Sequence, residues 1–161
     1  MNSSQVERTS LDINMRDMMK LAEELSGRSN CARKAVGAVV ARNGKVLAEG
    51  WNGVDRKFTT CKDAGCPRCI TGGDVGVGYD LCICIHAEQR AIATAALRGI
   101  SVDGATAFLT LRPCFGCLVL MRQAGIRQVF FKATWAYRGE VEGVYERLAS
   151  EFDTFEVYGS R

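Results

Sequence analysis

The sequence predicts an α/β protein, a three-layer α/β/α sandwich around a mixed sheet of about five strands. The Asn-Gly pair at 43–44 separates two short apolar runs, which is a strong signal for a β-hairpin. After this hairpin, β-like runs alternate with helix-like runs to the end of the chain. Such alternation is typical of sheets that carry helices on their faces.

Each element follows from its apolar spacing and from the residues that start or stop it. A helix is predicted over about 11–26, before Gly27, and residues 1–10 are expected to fray. The hairpin strands are predicted over 36–41 and 45–51. The later elements are predicted as helix 86–98, strand 104–111, helix 114–124, strand 126–131, helix 141–150 and strand 155–158.

The composition indicates one globular domain, predicted over 1–161, because 47% of the 161 residues are hydrophobic and 24% are charged. Residues 54–84 lack periodicity and are rich in Cys and Gly, which predicts a loop insertion. A net charge of +3 without a basic block disfavours a nucleic-acid partner. Polar residues at 1–10 and the lack of a long apolar run predict a cytoplasmic protein without a membrane span.

Two short segments contain residue types that bind zinc. His86, the only histidine, stands two residues before Glu88, while Cys114 and Cys117 follow Pro113. One imidazole and two thiolates suit Zn²⁺, and three protein ligands leave a position open, as in catalytic sites. We therefore predict that His86, Cys114 and Cys117 bind zinc. Glu88 is then free to act as the catalytic proton carrier.

The order H-x-E followed by P-C-x-x-C is the signature of zinc-dependent nucleobase deaminases. With the segments that begin at Cys31 and Gly50, it makes residues 31–131 resemble the cytidine and deoxycytidylate deaminase family, and dCMP-deaminase-like members most. The resemblance implies hydrolysis of a cytosine nucleotide, dCMP or CMP, to the uracil nucleotide and ammonia. It also implies a homo-oligomer.

The resemblance further indicates residues that contact the substrate. It implies that Asn52 contacts the sugar of the nucleotide and that the backbone of Ala87 lines the substrate pocket. Arg112, beside the predicted metal, is the candidate for a phosphate contact, so a monophosphate is expected to be preferred over the free nucleoside. Trp135 is predicted either to stack on a base or to pack at an edge.

The other six cysteines predict a second, structural zinc, since disulfides are disfavoured in the cytoplasm. Local spacing favours Cys61, Cys66, Cys69 and Cys84, with Cys31 or Cys82 as alternative ligands. The resemblance favours Cys31, Cys61 and Cys84, because some phage and bacterial relatives carry a second zinc at matching positions. Several of these cysteines could instead be ordinary buried thiols.

Two other functions fit parts of the pattern. A deaminase of another nucleobase, or of a base in RNA or single-stranded DNA, would carry the same zinc signature. Acting on a nucleic-acid strand requires a basic groove, which the scattered charges do not predict. A non-catalytic, zinc-stapled binding module would keep the ligands but has no use for Glu88. The small-molecule nucleotide deaminase therefore fits best.

Overall fold

The computed structural model of the protein describes residues 3–54, 60–70 and 77–159. The helices are α1 Ser3–Ser26, α2 Cys61–Ala64, α3 Pro67–Ile70, α4 Ala87–Leu97, α5 Phe115–Gln123 and α6 Glu140–Ala149. The strands are β1 Gly37–Arg42, β2 Lys45–Trp51, β3 Thr106–Leu111, β4 Gln128–Ala133 and β5 Thr154–Val157. A 3₁₀ turn spans Tyr79–Leu81.

The strands form one mixed sheet in the order β2-β1-β3-β4-β5. β1 pairs antiparallel with β2 and β3, whereas β3, β4 and β5 run parallel and are joined through α5 and α6. The β1–β2 hairpin turns at Asn43 and Gly44, whose φ angles of 50° and 74° lie in the left-handed region that this pair tolerates. The predicted mixed sheet and its opening hairpin are confirmed.

Helices cover both faces of the sheet, so the protein has two apolar cores. The neighbouring residues Val39 and Val40 lie in different cores because successive strand side chains point to opposite faces. α1 packs over Val39 through Leu25, and the core around Val40 contains side chains of α4, α5 and α6. The predicted three-layer sandwich is confirmed.

α1 differs most from its predicted bounds. It begins at Ser3, so the expectation that residues 1–10 fray is wrong for residues 3–10. Gln5, Glu7 and Arg8 have good intrinsic helix propensity, which the search for apolar periodicity did not weigh. No helix in the described part of the chain is both long and apolar enough to cross a membrane.

The predicted insertion leaves the sheet after β2 and returns just before α4. Its two ends meet at an isolated antiparallel bridge, in which Gly53 and Ile85 exchange two backbone hydrogen bonds of 3.1 Å each. Between these residues lie α2, α3 and the 3₁₀ turn, while residues 55–59 and 71–76 are outside the described ranges. The assignment of 1–161 to a single domain stays a prediction.

Small side chains let α4 lie close against β2. Ala87, Ala91 and Ala95 recur at four-residue spacing and are buried in the core on this face. A Cβ atom on Gly50 of β2 would lie only 2.0 Å from the backbone oxygen of Ala87. This close approach holds the first turn of α4 against β2 and therefore helps to position the side chains at the start of the helix.

Candidate active site

The starts of α4 and α5 meet on one side of the sheet. His86 immediately precedes α4 and Cys114 immediately precedes α5, and both have extended backbones. The His86 N–H donates to Gln89 Oε1 at 2.9 Å, which secures the first turn of α4. Because α4 packs against α5, two positive helix ends lie near each other and favour anionic ligands.

The His86 imidazole and two thiols converge between these helix starts. Nδ1 lies 3.3 Å from Cys114 Sγ and 3.4 Å from Cys117 Sγ, and the three ligand atoms are all within 4.8 Å of one another. Zinc bonds of about 2.3 Å to sulfur and about 2.0 Å to nitrogen place these atoms about 3.6 Å apart on a tetrahedral ion. The donor types and their spacing therefore fit zinc.

The Glu88 carboxyl approaches the same point from the first turn of α4. The sequence predicts a helix from His86, which would direct side chains two residues apart in nearly opposite directions. In the structure His86 lies outside the helix, so both side chains can face the site. Glu88 is 5% exposed, and burial raises its pKa to about 7, with the nearby Cys114 sulfur as the next cause. A carboxyl with a pKa near neutrality can both accept and donate protons.

The thiols of this site differ in acidity. A hydrogen bond from Cys117 lowers the pKa of Cys114, and His86 adds to this effect although burial opposes it. That same contact, together with burial, raises the pKa of Cys117. Burial lowers the pKa of His86, but the hydrogen bond to Cys114 and the negative charges of Cys114 and Glu88 together outweigh burial, so the pKa is raised. Binding of a metal here would release these protons.

A cavity of about 310 Å³ opens over the site, a size suited to a small ligand. Its wall contains the four residues predicted to contact substrate: Asn52, Ala87, Arg112 and Trp135. The structure thus brings all four together with His86 and Glu88. Their contacts with a nucleotide stay predictions.

The side-chain amide of Asn52 already makes two hydrogen bonds to the protein backbone, one through its oxygen and one through its nitrogen. Its Oδ1 accepts the Val36 N–H at 2.8 Å, and its Nδ2 donates to the Lys34 carbonyl at 2.7 Å. The side chain therefore holds the segment before β1 at the cavity wall. A sugar contact would use the remaining donor and acceptor capacity of the amide.

Arg112 is also engaged, in a way that disfavours the predicted phosphate contact. Its guanidinium is 8% exposed, pairs with Glu142 at 2.7 Å and donates to the Trp135 carbonyl. The guanidinium also lies 4.1 Å from the centre of the Tyr145 ring. A cation that is already neutralised by a carboxylate attracts a phosphate less strongly. Trp135 returns a hydrogen bond of 2.8 Å from Nε1 to the Arg112 carbonyl, which holds the indole at the cavity wall.

Six residues of the cavity wall were not identified as site residues from the sequence, the apolar Val36 and Leu111 and the polar Arg33, Lys34, Arg68 and Tyr79. The Tyr79 ring meets the His86 ring edge-on with centroids 5.3 Å apart, and the Arg68 guanidinium lies 4.1 Å over Tyr79. Arg68 and Tyr79 belong to the insertion, where no periodic pattern predicts position. For Arg33 and Lys34 the available signal was two adjacent cations close to Cys31.

The six other cysteines gather beside the cavity, and all eight cysteines are free thiols. Two groups have all their sulfur atoms within 4.8 Å of one another: Cys31, Cys61 and Cys84, and Cys61, Cys66 and Cys69. The predicted combination of Cys61, Cys66, Cys69 and Cys84 is not one of these groups. The resemblance identified the first group, and local spacing identified three members of the second.

Backbone amides point at one sulfur in each group. Cys31 accepts hydrogen bonds from the N–H groups of Arg33 and Lys34. Cys66 accepts them from the N–H groups of Ile83, Cys69 and Arg68. Burial raises the pKa of both thiols, but these donors outweigh it and lower the pKa of each. The donors stabilise thiolate, which is the form that binds metal.

Known proteins place this architecture in the class of cytidine deaminase-like α/β folds. The crystal structure of dCMP deaminase from the cyanophage S-TIM5 matches with a TM-score of 0.63 and 30% identity, over 96% of this chain and 99% of that one. A family model for the cytidine and deoxycytidylate deaminase zinc-binding region matches residues 13–133. The chain therefore belongs to this family, which confirms the resemblance seen in its motifs.

Two curated relatives differ in how much of their length is matched. The deoxycytidylate deaminase of Schizosaccharomyces pombe is 35% identical over 117 residues, which cover 73% of this chain but 36% of that protein. The deoxycytidylate deaminase of Mycobacterium phage D29 is 33% identical over 116 residues, which cover 69% of this chain and 88% of that protein. The chain thus spans about a third of the fungal relative and most of the phage relative.

Proposed function

We propose that the protein is a zinc-dependent deaminase that hydrolyses dCMP to dUMP and ammonia. The observation that carries this proposal is the buried Glu88 carboxyl beside the convergent His86, Cys114 and Cys117 at the floor of a small cavity. The matched cyanophage enzyme was crystallised with dCMP and dUMP, the substrate and product of this reaction.

The catalytic zinc would be held by His86 Nδ1 and by the sulfur atoms of Cys114 and Cys117. When bound, zinc supplies Lewis-acid chemistry that makes water a nucleophile near neutral pH. Three protein ligands leave room for that water, as a catalytic site requires.

Glu88 carries the protons of the proposed reaction. Its carboxylate accepts a proton from the attacking water and delivers it to N3 of cytosine while the new C4–O bond forms. It then transfers the second proton of the water to the C4 amino group, and the C4–N bond breaks to release ammonia. The raised pKa of the buried Glu88 carboxyl suits a group that must first accept and then donate a proton.

The nucleotide phosphate is proposed to bind at the rim of the cavity, where Arg33 and Lys34 are exposed. We expect Arg33→Ala and Lys34→Ala each to raise KM for dCMP about tenfold or more, because a hydrogen bond to a charged group contributes about 1.5–3 kcal/mol. Steady-state kinetics with dCMP and with cytidine would measure this, and kcat/KM for cytidine should not change.

Lys45→Ala is the matched control, since Lys45 lies at the opposite end of β2 from the cavity. The rim assignment is wrong if both rim variants keep the wild-type KM for dCMP. A rise in KM in Arg112→Gln alone would restore Arg112 as the phosphate contact.

A substrate panel tests the proposed reaction. We expect the highest kcat/KM for dCMP among cytosine, cytidine, CMP, dCMP and dCTP, measured as ammonia release by the zinc-loaded protein. Equal kcat/KM for cytidine and dCMP would remove the preference for the monophosphate. Efficient deamination of cytosine within an oligonucleotide would favour the editing alternative. No turnover of any substrate, with zinc bound, would favour the binding module.

The remaining cysteines are proposed to hold structural zinc. Their sulfur atoms lie close together, and backbone N–H groups stabilise thiolate at Cys31 and Cys66. Cys84 lies two residues before His86, so a metal bound there would help to hold the start of α4. We also propose a cytoplasmic location, because a reducing compartment keeps cysteines available as metal ligands.

A homo-oligomer is proposed to form through the outer surface of α4, α5 and α6. Leu97 is 89% exposed, and Val119, Val141 and Val144 are exposed on the same set of helices. Large exposed apolar patches mark surfaces that subunits bury, and these helices carry the apolar side chains that such a patch requires.

A further inference from the structure

We propose that the six cysteines of the insertion and its surroundings bind two zinc ions through shared thiolates, as a binuclear zinc–thiolate cluster. The starting observation is that both groups of three close thiols contain Cys61. This inference rests on the structural metal proposed above and does not depend on the deaminase reaction.

The sulfur–sulfur distances are those of thiolates that share a zinc ion. Zn–S bonds of about 2.3 Å place two sulfur atoms about 3.8 Å apart on a tetrahedral ion. Cys61 and Cys69 are separated by 3.5 Å, and Cys66 and Cys82 by 3.9 Å.

The number of thiols points to bridging. A closed structural site holds zinc with four ligands. Two separate sites would therefore need eight thiols, whereas this region contains six. Two bridging thiolates supply the missing ligands, and Cys61 is one bridge because its sulfur belongs to both groups.

Cys82 is the second bridge. Its sulfur is 3.9 Å from that of Cys66, and Cys82 packs against the same cysteine cluster as Cys31, Cys61 and Cys84. The cluster then has two terminal and two shared thiolates on each ion. One ion binds Cys31 and Cys84, the other binds Cys66 and Cys69, and both bind Cys61 and Cys82.

The protein offsets the charge that this cluster would carry. Two Zn²⁺ ions neutralise four of six thiolate charges, which leaves a net negative charge. Backbone N–H groups point at Cys31 and Cys66, one on each ion. Arg68 is also buried, and it lies between Cys66 and Cys69 along the chain. The segment that supplies these two thiols therefore also contains a cation.

Metal content tests the number of ions. We expect about three zinc ions per chain in the wild-type protein, one catalytic and two in the cluster. Cys114→Ser/Cys117→Ser is the control variant, because it removes two of the three catalytic ligands and should leave about two ions. A wild-type ratio of two that falls to one in this variant would overturn the binuclear cluster. Iron with acid-labile sulfide in the purified protein would overturn it in favour of an iron–sulfur cluster.

Cadmium-113 NMR tests the bridging. After zinc is replaced by cadmium in the Cys114→Ser/Cys117→Ser variant, we expect two resonances from all-sulfur sites that are split by scalar coupling to each other through shared sulfur. Two unsplit resonances, or a single one, would overturn the proposal. Neither experiment requires catalytic activity. A protein that fails to deaminate dCMP can therefore still show three zinc ions and coupled cadmium resonances.

Discussion

Glu88→Gln is expected to lower kcat for dCMP about 10³-fold or more while the zinc content stays unchanged. Glutamine keeps the size of the side chain but can neither take a proton from water nor pass one to the base. Glu88 is not one of the three convergent ligands, so the metal should remain. Kinetics and metal analysis on the same protein preparation would measure both effects, and Glu88→Ala should behave alike.

Glu140→Gln is a matched control, because Glu140 and Glu88 both lie in the first turn of a helix, α6 and α4 respectively. Glu140 is exposed, whereas Glu88 is buried at the site. Loss of a charge at a helix start costs about 0.3–1 kcal/mol of stability, and kcat should stay at its wild-type value. Retained activity in Glu88→Gln, or loss of zinc from it, would contradict the assigned role.

Gly50→Ala is expected to lower the free energy of unfolding by about 1–3 kcal/mol or more. The new Cβ would lie 2.0 Å from the Ala87 oxygen and 2.8 Å from the Ala91 nitrogen. Both atoms belong to the backbone of α4, so the helix has to move away from β2. His86 and Glu88 would move with it, and a misplacement of about 1 Å can reduce activity about 10²-fold. Urea denaturation and kinetics at equal folded concentration would measure the two effects.

Two other glycines separate stability from activity. In Gly37→Ala the Cβ would lie 1.9 Å from the Ala22 oxygen of α1, on the opposite face, so stability should fall with less effect on kcat/KM of the folded protein. In Gly143→Ala of α6 the nearest atom is 3.8 Å away, and removal of a helical glycine should stabilise by about 0.5–1 kcal/mol. A Gly50→Ala protein as stable and as active as the wild type would show that α4 is free to shift.

Local patterns were sufficient to predict the sheet and the neighbourhood of the site. The hairpin depends on Asn43 and Gly44, and the later strands and helices on apolar spacing, so each could be read from a few neighbouring residues. His86, Glu88, Cys114 and Cys117 occur in two short motifs whose order indicates zinc chemistry. The structure brings them together where those motifs begin α4 and α5.

Pairings between distant residues could not be predicted in this way. The ion pair between Arg112 and Glu142, which lies 30 residues further along the chain, could not be read from either segment. The grouping of Cys31 with Cys61 and Cys84 likewise depends on how a segment without periodicity folds back on the sheet. Such contacts are decided by burial and charge in three dimensions, and spacing along the chain does not report them.

The bridge between Gly53 and Ile85 makes the intervening segment a natural place for grafting. The paired residues hold the two ends about 5 Å apart, so extra residues between them need not displace β2 or α4. Closing a loop becomes harder by only about 0.6 kcal/mol for each doubling of its length. A protein engineer can therefore lengthen this segment with a foreign peptide at small entropic cost, provided that the clustered cysteines and the cavity residues Arg68 and Tyr79 are kept.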